Sequence, residues 1–165
     1  MPTWALALAY WLHLIATVVW VGGLSLMVLL IWPVALTRPQ PETARWLADL
    51  QRRFNPLAWL SLAVLTVTGL MQMTADENYH GLLMLDTAWA SAMFLKHVAV
   101  LGMVGCGVWL QGSLQPELAR LMLKMERGHP TPELEPLRRR ELTVLRLNLA
   151  CAVLVLLFTA IATAL

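Results

Sequence analysis

Four stretches of this chain are apolar for long enough to cross a bilayer, because a helix needs about 20 mostly apolar residues to span a hydrocarbon core of about 30 Å. Trp4 to Trp32 and Pro56 to Thr74 contain no Asp, Glu, Lys or Arg, and Thr87 to Gln115 is interrupted only by Lys96 and His97. Leu147 to Leu165 is also free of charge, with a helical pattern that begins nearer Leu137. The predicted spans are 4–32, 56–74, 87–115 and 142–165, joined by longer polar segments at 33–55 and 116–141. The first span reads as a membrane helix rather than a signal peptide, since it has no positive leader and its apolar run is too long.

The punctuation between spans is local. Pro33 follows the first span, and Arg38-Pro39-Gln40-Pro41 disfavours helix before a short amphipathic piece at Glu42 to Phe54. Asn55-Pro56 offers a cap and a first-turn proline for span two. Span three continues past the membrane surface through Pro116 to Glu126, with Gly128 as its stop. His129-Pro130-Thr131-Pro132 is the one linker-like stretch.

Charge then fixes an expected orientation. The first connection holds Arg38, Arg45, Arg52 and Arg53, and the third holds Arg120, Lys124, Arg127, Arg138, Arg139 and Arg140. The second, Ala75 to Asp86, has only Asp76, Glu77 and Asp86. Basic residues stay on the cytoplasmic side, so both termini are expected outside. The expectation is an all-α, up-down, four-helix transmembrane bundle, multi-pass, with one domain over 1–165.

Composition agrees. Hydrophobic residues are 59% of the 165 and charged residues 13%, against about 45–50% and about 25% for soluble domains. Mean hydropathy is +0.65, which excludes a disordered chain. The net charge of +2 gives no basic field for nucleic acid. Cys106 and Cys151 sit in apolar runs without a Cys-x-x-Cys pair and read as small packing residues. There is no phosphate-binding glycine loop outside the spans and no Ser/His/Asp set, so nucleotide binding and hydrolysis are not indicated.

Ionisable residues inside a span are expensive and usually face the bundle interior. His13 lies nine residues after Trp4 and His97 ten after Thr87, so both are expected about 13–15 Å below the same face at a rise of about 1.5 Å per residue. Diagonal helices of an up-down bundle would let the two imidazoles hold one metal from both sides. A b-type haem is the expected occupant, with His13 and His97 as axial ligands to iron. Ala9, Ala16, Thr17 and Trp20 share the His13 face, and Met93, Val100 and Val104 the His97 face. Gly102, Gly105 and Gly107 thin the helix below, unless they serve helix packing. Lys96 is the polar neighbour, placed for a propionate or for snorkelling. The plain alternative for a lone histidine is a hydrogen-bonded helix contact. Met71, Met73, His80 and Met84 flank the second connection. Thioether and imidazole favour Cu(I), although core filling is the commoner use of methionine. Trp4, Trp32 and Trp59 are read as interfacial anchors, and Arg146 and Asn148 as groups that reach the interface or bond across helices.

Several stretches resemble the CopD family, the copper-resistance D membrane domain. They are Trp11-Leu-His-Leu-Ile-Ala-Thr-Val-Val-Trp-Val-Gly-Gly23, Arg52-Arg-Phe-Asn-Pro-Leu-Ala with Val67-Thr-Gly-Leu70, Tyr79-His-Gly-Leu-Leu with Leu95-Lys96, and Arg138-Arg-Arg-Glu141. The resemblance implies a four-helix unit linked to copper handling across bacterial inner membranes. His13 with Lys96 is also similar to the pattern of HemJ-type membrane proteins, which implies haem b and protoporphyrinogen oxidation; His97 beside Lys96 departs from that pattern. Three functions follow as expectations: one-electron transfer near the outer face through haem b, copper transport or delivery, and a protoporphyrinogen-oxidase-like enzyme. The partners expected are the lipid bilayer and either a second copy or a larger membrane complex.

Overall fold

The computed structural model describes residues 2–37, 41–77, 79, 81 and 86–165. Four helices are long and apolar enough to cross a membrane: α1, Thr3–Thr37; α2, Pro41–Ala75; α3, Ala88–Glu126; and α4, Leu134–Ala164. No strand occurs among the described residues. Large apolar side chains cover the outside, with Trp4, Val18 and Leu101 about 70% exposed. Such surface suits lipid, which needs no polar cover. The chain is a multi-pass membrane protein by fold.

The helices run through prolines that the sequence reads as boundaries. Asn55-Pro56 does not start a helix: α2 is continuous from Pro41, with Pro56 inside it. The proline forfeits its own N–H bond to the Arg52 carbonyl, a local cost that a 35-residue helix absorbs in its other bonds and packing. Pro33 likewise does not end α1, which continues to Thr37. The carbonyl that Pro33 would crowd belongs to Leu29, and Leu29 lies in a π-helical turn, Met27–Ile31. That wider turn falls where the proline ring needs room. Further π turns occur at Val18–Gly22 in α1 and Leu110–Leu114 in α3.

Helix ends behave as the local chemistry dictates. Thr87 caps α3, its hydroxyl accepting from the Ala90 N–H at 3.1 Å. At the other end Gly128 takes φ +78°, and the Gly128 and His129 N–H groups bond back to Met125 and Lys124 carbonyls at 3.0 and 3.2 Å. The fourth helix starts at Leu134, three residues before the apolar pattern near Leu137, because the Leu134 N–H closes a turn on the Thr131 carbonyl.

The chain divides into two compact units, Met1–Phe94 with Leu165, and Leu95–Ala164. In the first, α1 packs along α2. The α1 residues Ala9, Ala16, Trp20, Leu24, Met27 and Trp32 recur at helical spacing and are all buried. Trp32, 1% exposed, is therefore core and not an interfacial anchor, while Trp4 and Trp59 keep exposed rings. In the second unit α3 packs on α4, and Leu142, Leu145 and Ala152 are buried. Asn148 lies among them, 6% exposed, with no partner for its Oδ1. Arg146, two residues away, is exposed.

Candidate functional site

His13 is the best-defined polar group in the first unit. It sits mid-way along the apolar part of α1, and its Nδ1 lies 2.8 Å from the Thr68 hydroxyl of α2. Thr68 is 4% exposed, and its own proton goes to the Val64 carbonyl at 2.6 Å. A hydroxyl has one proton to give. With that proton on the Val64 carbonyl, Thr68 can only accept, which favours the imidazole tautomer that carries its proton on Nδ1 and its lone pair on Nε2. A partner on one ring nitrogen that fixes the other as the base is the usual arrangement of a metal-binding histidine.

The same contact shows why these positions are small. A Cβ added at Gly69 would stand 3.4 Å from His13 Cε1, so the ring lies flat against α2 at a residue without a side chain. One turn away the Gln72 amide donates to the Ala9 carbonyl at 3.3 Å. Ala9 and Ala16, 2% and 5% exposed, share the His13 face. Thr17 bonds the His13 carbonyl at 2.8 Å, which ties its hydroxyl to the α1 backbone.

The remaining expected residues are distributed as follows. Trp20 is buried in the π turn Val18–Gly22. Met73 is 5% exposed on α2, one turn beyond Gly69, and Met71 is half-buried. Met93 is half-buried in α3 within the first unit. Lys96 and His97 are half-buried in the second unit. His80 and Met84 lie outside the described residues. Among the described residues no three His, Cys, Asp or Glu side chains gather in one place. Thr68 and Gly69 were not legible as neighbours of His13, nor Gln72 as a partner of Ala9, since nothing in spacing tells which face of α2 meets α1.

In the second unit, a Cβ at Gly102 would stand 3.2 Å from Cys151 Sγ, so Gly102 is a packing position for α4. Gly105 and Gly107 have open space beside them. Both cysteines are free thiols.

A family model described as copper resistance protein D matches residues 48–162, more than two thirds of the chain. The match takes in most of α2, all of α3 and nearly all of α4; His13 and the Trp-Val-Gly-Gly stretch of α1 precede it. No curated protein and no solved structure matches the chain. The fold, four apolar helices with a polar histidine held inside, and the family match agree on a membrane function related to copper resistance, and the chain belongs to the CopD family.

Proposed function

We propose that this protein handles copper as Cu(I) within a bacterial inner membrane, with His13 Nε2 as a nitrogen ligand and the Met73 thioether as a soft neighbour one turn further along α2. The observation that carries the reading is the Thr68 contact, which holds Nδ1 against α2 and favours the tautomer with its lone pair on Nε2. Imidazole with thioether suits Cu(I), whereas hard cations prefer oxygen. A passing ion needs only a small space and ligands that let go. Two neutral ligands supply that, and the empty site leaves no charge in lipid, where one would be costly.

Anaerobic competition titration of the detergent-purified chain against a Cu(I) chelator tests this. His13→Ala and Met73→Leu should each weaken binding by tenfold or more. Wild-type affinity retained in both variants would remove the site. Cells expressing the chain should also change their copper content, and His13→Ala should abolish that change.

A b-type haem is the second reading, since a neutral imidazole with its lone pair on Nε2 is also an axial ligand. His13 is the residue of the first unit that would hold it, and the group would supply one-electron transfer. The packing of small residues on the α1–α2 face favours the smaller guest: Gly69 lies against the ring and Ala9 and Ala16 are buried. An absorption spectrum decides. A Soret band in the wild type that is lost in His13→Ala would put haem ahead of copper.

A further inference from the structure

The sequence reads the two cysteines as filler, and the second unit sets Cys151 against α3 one turn from Cys106. Cys151 of α4 lies on α3 at the turn of Gly102, where the missing side chain leaves room for its Sγ. Cys106 is one turn further along α3. Helical side chains lean toward the N-terminus of their helix, over the preceding turn. The Cys106 thiol therefore leans back toward Gly102, onto the turn that Cys151 occupies. Residues four apart have Cβ atoms about 5–6 Å from one another, a gap that the two thiols share from opposite helices. Cys106 is buried, Cys151 half-buried, and both are reduced. Met103, 3% exposed, is three residues before Cys106 and next to Gly102.

We propose that Cys106 and Cys151 form a two-sulfur site for Cu(I) between α3 and α4 of the second unit, with Gly102 as the residue that makes room for it. This rests on the copper reading above and adds a separate station to it. Sulfur ligands select soft ions, chiefly Cu(I), zinc and iron–sulfur clusters. Structural zinc takes four ligands in a tetrahedron and iron–sulfur clusters take four cysteines. Among the described residues no third His, Cys, Asp or Glu joins the pair. Cu(I) alone of these is satisfied by two sulfurs. On binding, two S–Cu bonds form, two S–H bonds break and both protons leave to solvent. The copper stays Cu(I), so no oxidant or reductant is needed.

The test uses the full chain in detergent, without oxygen, loaded from a Cu(I) chelator. Bound copper, released protons and the ultraviolet thiolate-to-copper charge-transfer band are read together. The wild type should show the band and release two protons with that ion. Cys106→Ser/Cys151→Ser should lose the band and one copper per chain. Gly102→Ala should keep both thiols but bind that copper at least tenfold more weakly. Copper bound by wild type with no thiolate band overturns the proposal by itself, whatever the variants do. Unchanged copper content in a folded double-serine variant overturns it too, while leaving the His13 reading intact. A wild type that takes up no copper overturns both.

Discussion

The His13 imidazole and the Thr68 hydroxyl are 2.8 Å apart across α1 and α2, and Thr68 has already given its proton to Val64. The direction of that bond follows from the second contact and not from the first. It converts a histidine in lipid, whose presence alone says little, into a base whose reactive nitrogen is assigned.

Thr68→Val keeps the shape of the side chain and removes the acceptor. Nitrogen NMR of labelled histidine should then show a mixture of tautomers at His13, in place of one form protonated at Nδ1. Partners of this kind are worth about 10- to 100-fold in metal affinity, so Cu(I) binding should weaken by at least the lower figure. Thr68→Ser should behave as wild type. Identical tautomer populations in Thr68→Val would show that the hydroxyl does not orient the ring.

Gly22 and Gly23 make a matched pair for a stability test. A Cβ at Gly22 meets nothing within 4 Å. A Cβ at Gly23 runs into the Phe54 ring, with Cζ at 2.6 Å. Gly22→Ala should be neutral or stabilising, because alanine favours helix over glycine by about 0.5–1 kcal/mol. Gly23→Ala should cost about 1–3 kcal/mol through overpacking. Phe54→Leu should recover part of that loss, a coupling that a double-mutant cycle in thermal unfolding would read. Equal stability of the two alanine variants would contradict the contact.

Gly23 and Phe54 also show how much of the molecule the sequence discloses. Both belong to stretches that resemble the CopD family, Trp-Val-Gly-Gly and Arg-Arg-Phe-Asn-Pro, and only the fold reveals that the two stretches touch. The four spans were legible because lipid demands apolar length, a property of composition alone. The interruptions were misjudged at Pro33 and Asn55-Pro56, where proline breaks one bond but a long helix keeps the rest. His13 stood out through its cost in lipid. Its partner did not, since Thr68 is one of several hydroxyls on α2 and the rotation of that helix is set by packing. The cysteines were hidden for the same reason: they are 45 positions apart in sequence, and only the fold sets Cys151 against Gly102, one turn from Cys106.

Trp32 presents a cleaner energetic case. It is 1% exposed, and its Nε1 donor has no hydrogen-bond partner. A buried unsatisfied donor costs about 1–3 kcal/mol. Trp32→Phe removes that donor and keeps most of the ring, so the smaller volume and the lost penalty should nearly cancel. Trp32→Ala should lose about 3–5 kcal/mol, as large aromatic deletions do. Thermal unfolding in detergent measures both. A Trp32→Phe loss as large as that of Trp32→Ala would mean that the indole N–H is bonded after all.

Orientation rests on charge, and charge makes a prediction that the fold does not. Six Lys or Arg residues lie between Gln115 and Glu141 and four between Pro33 and Asn55, but none lies between Ala75 and Asp86. With basic residues retained on the cytoplasmic side, the start of α1 and the end of α4 are expected outside. A phosphatase reporter, active only outside the cytoplasm, should therefore be active when fused after Leu165 and inactive when fused after Gly128. Replacing Arg138, Arg139 and Arg140 with Gln should weaken the preference, because these three adjoin the start of the last span. The reverse pattern of reporter activity would place His13 in the cytoplasmic half of the bilayer and make the protein draw copper from the cell interior.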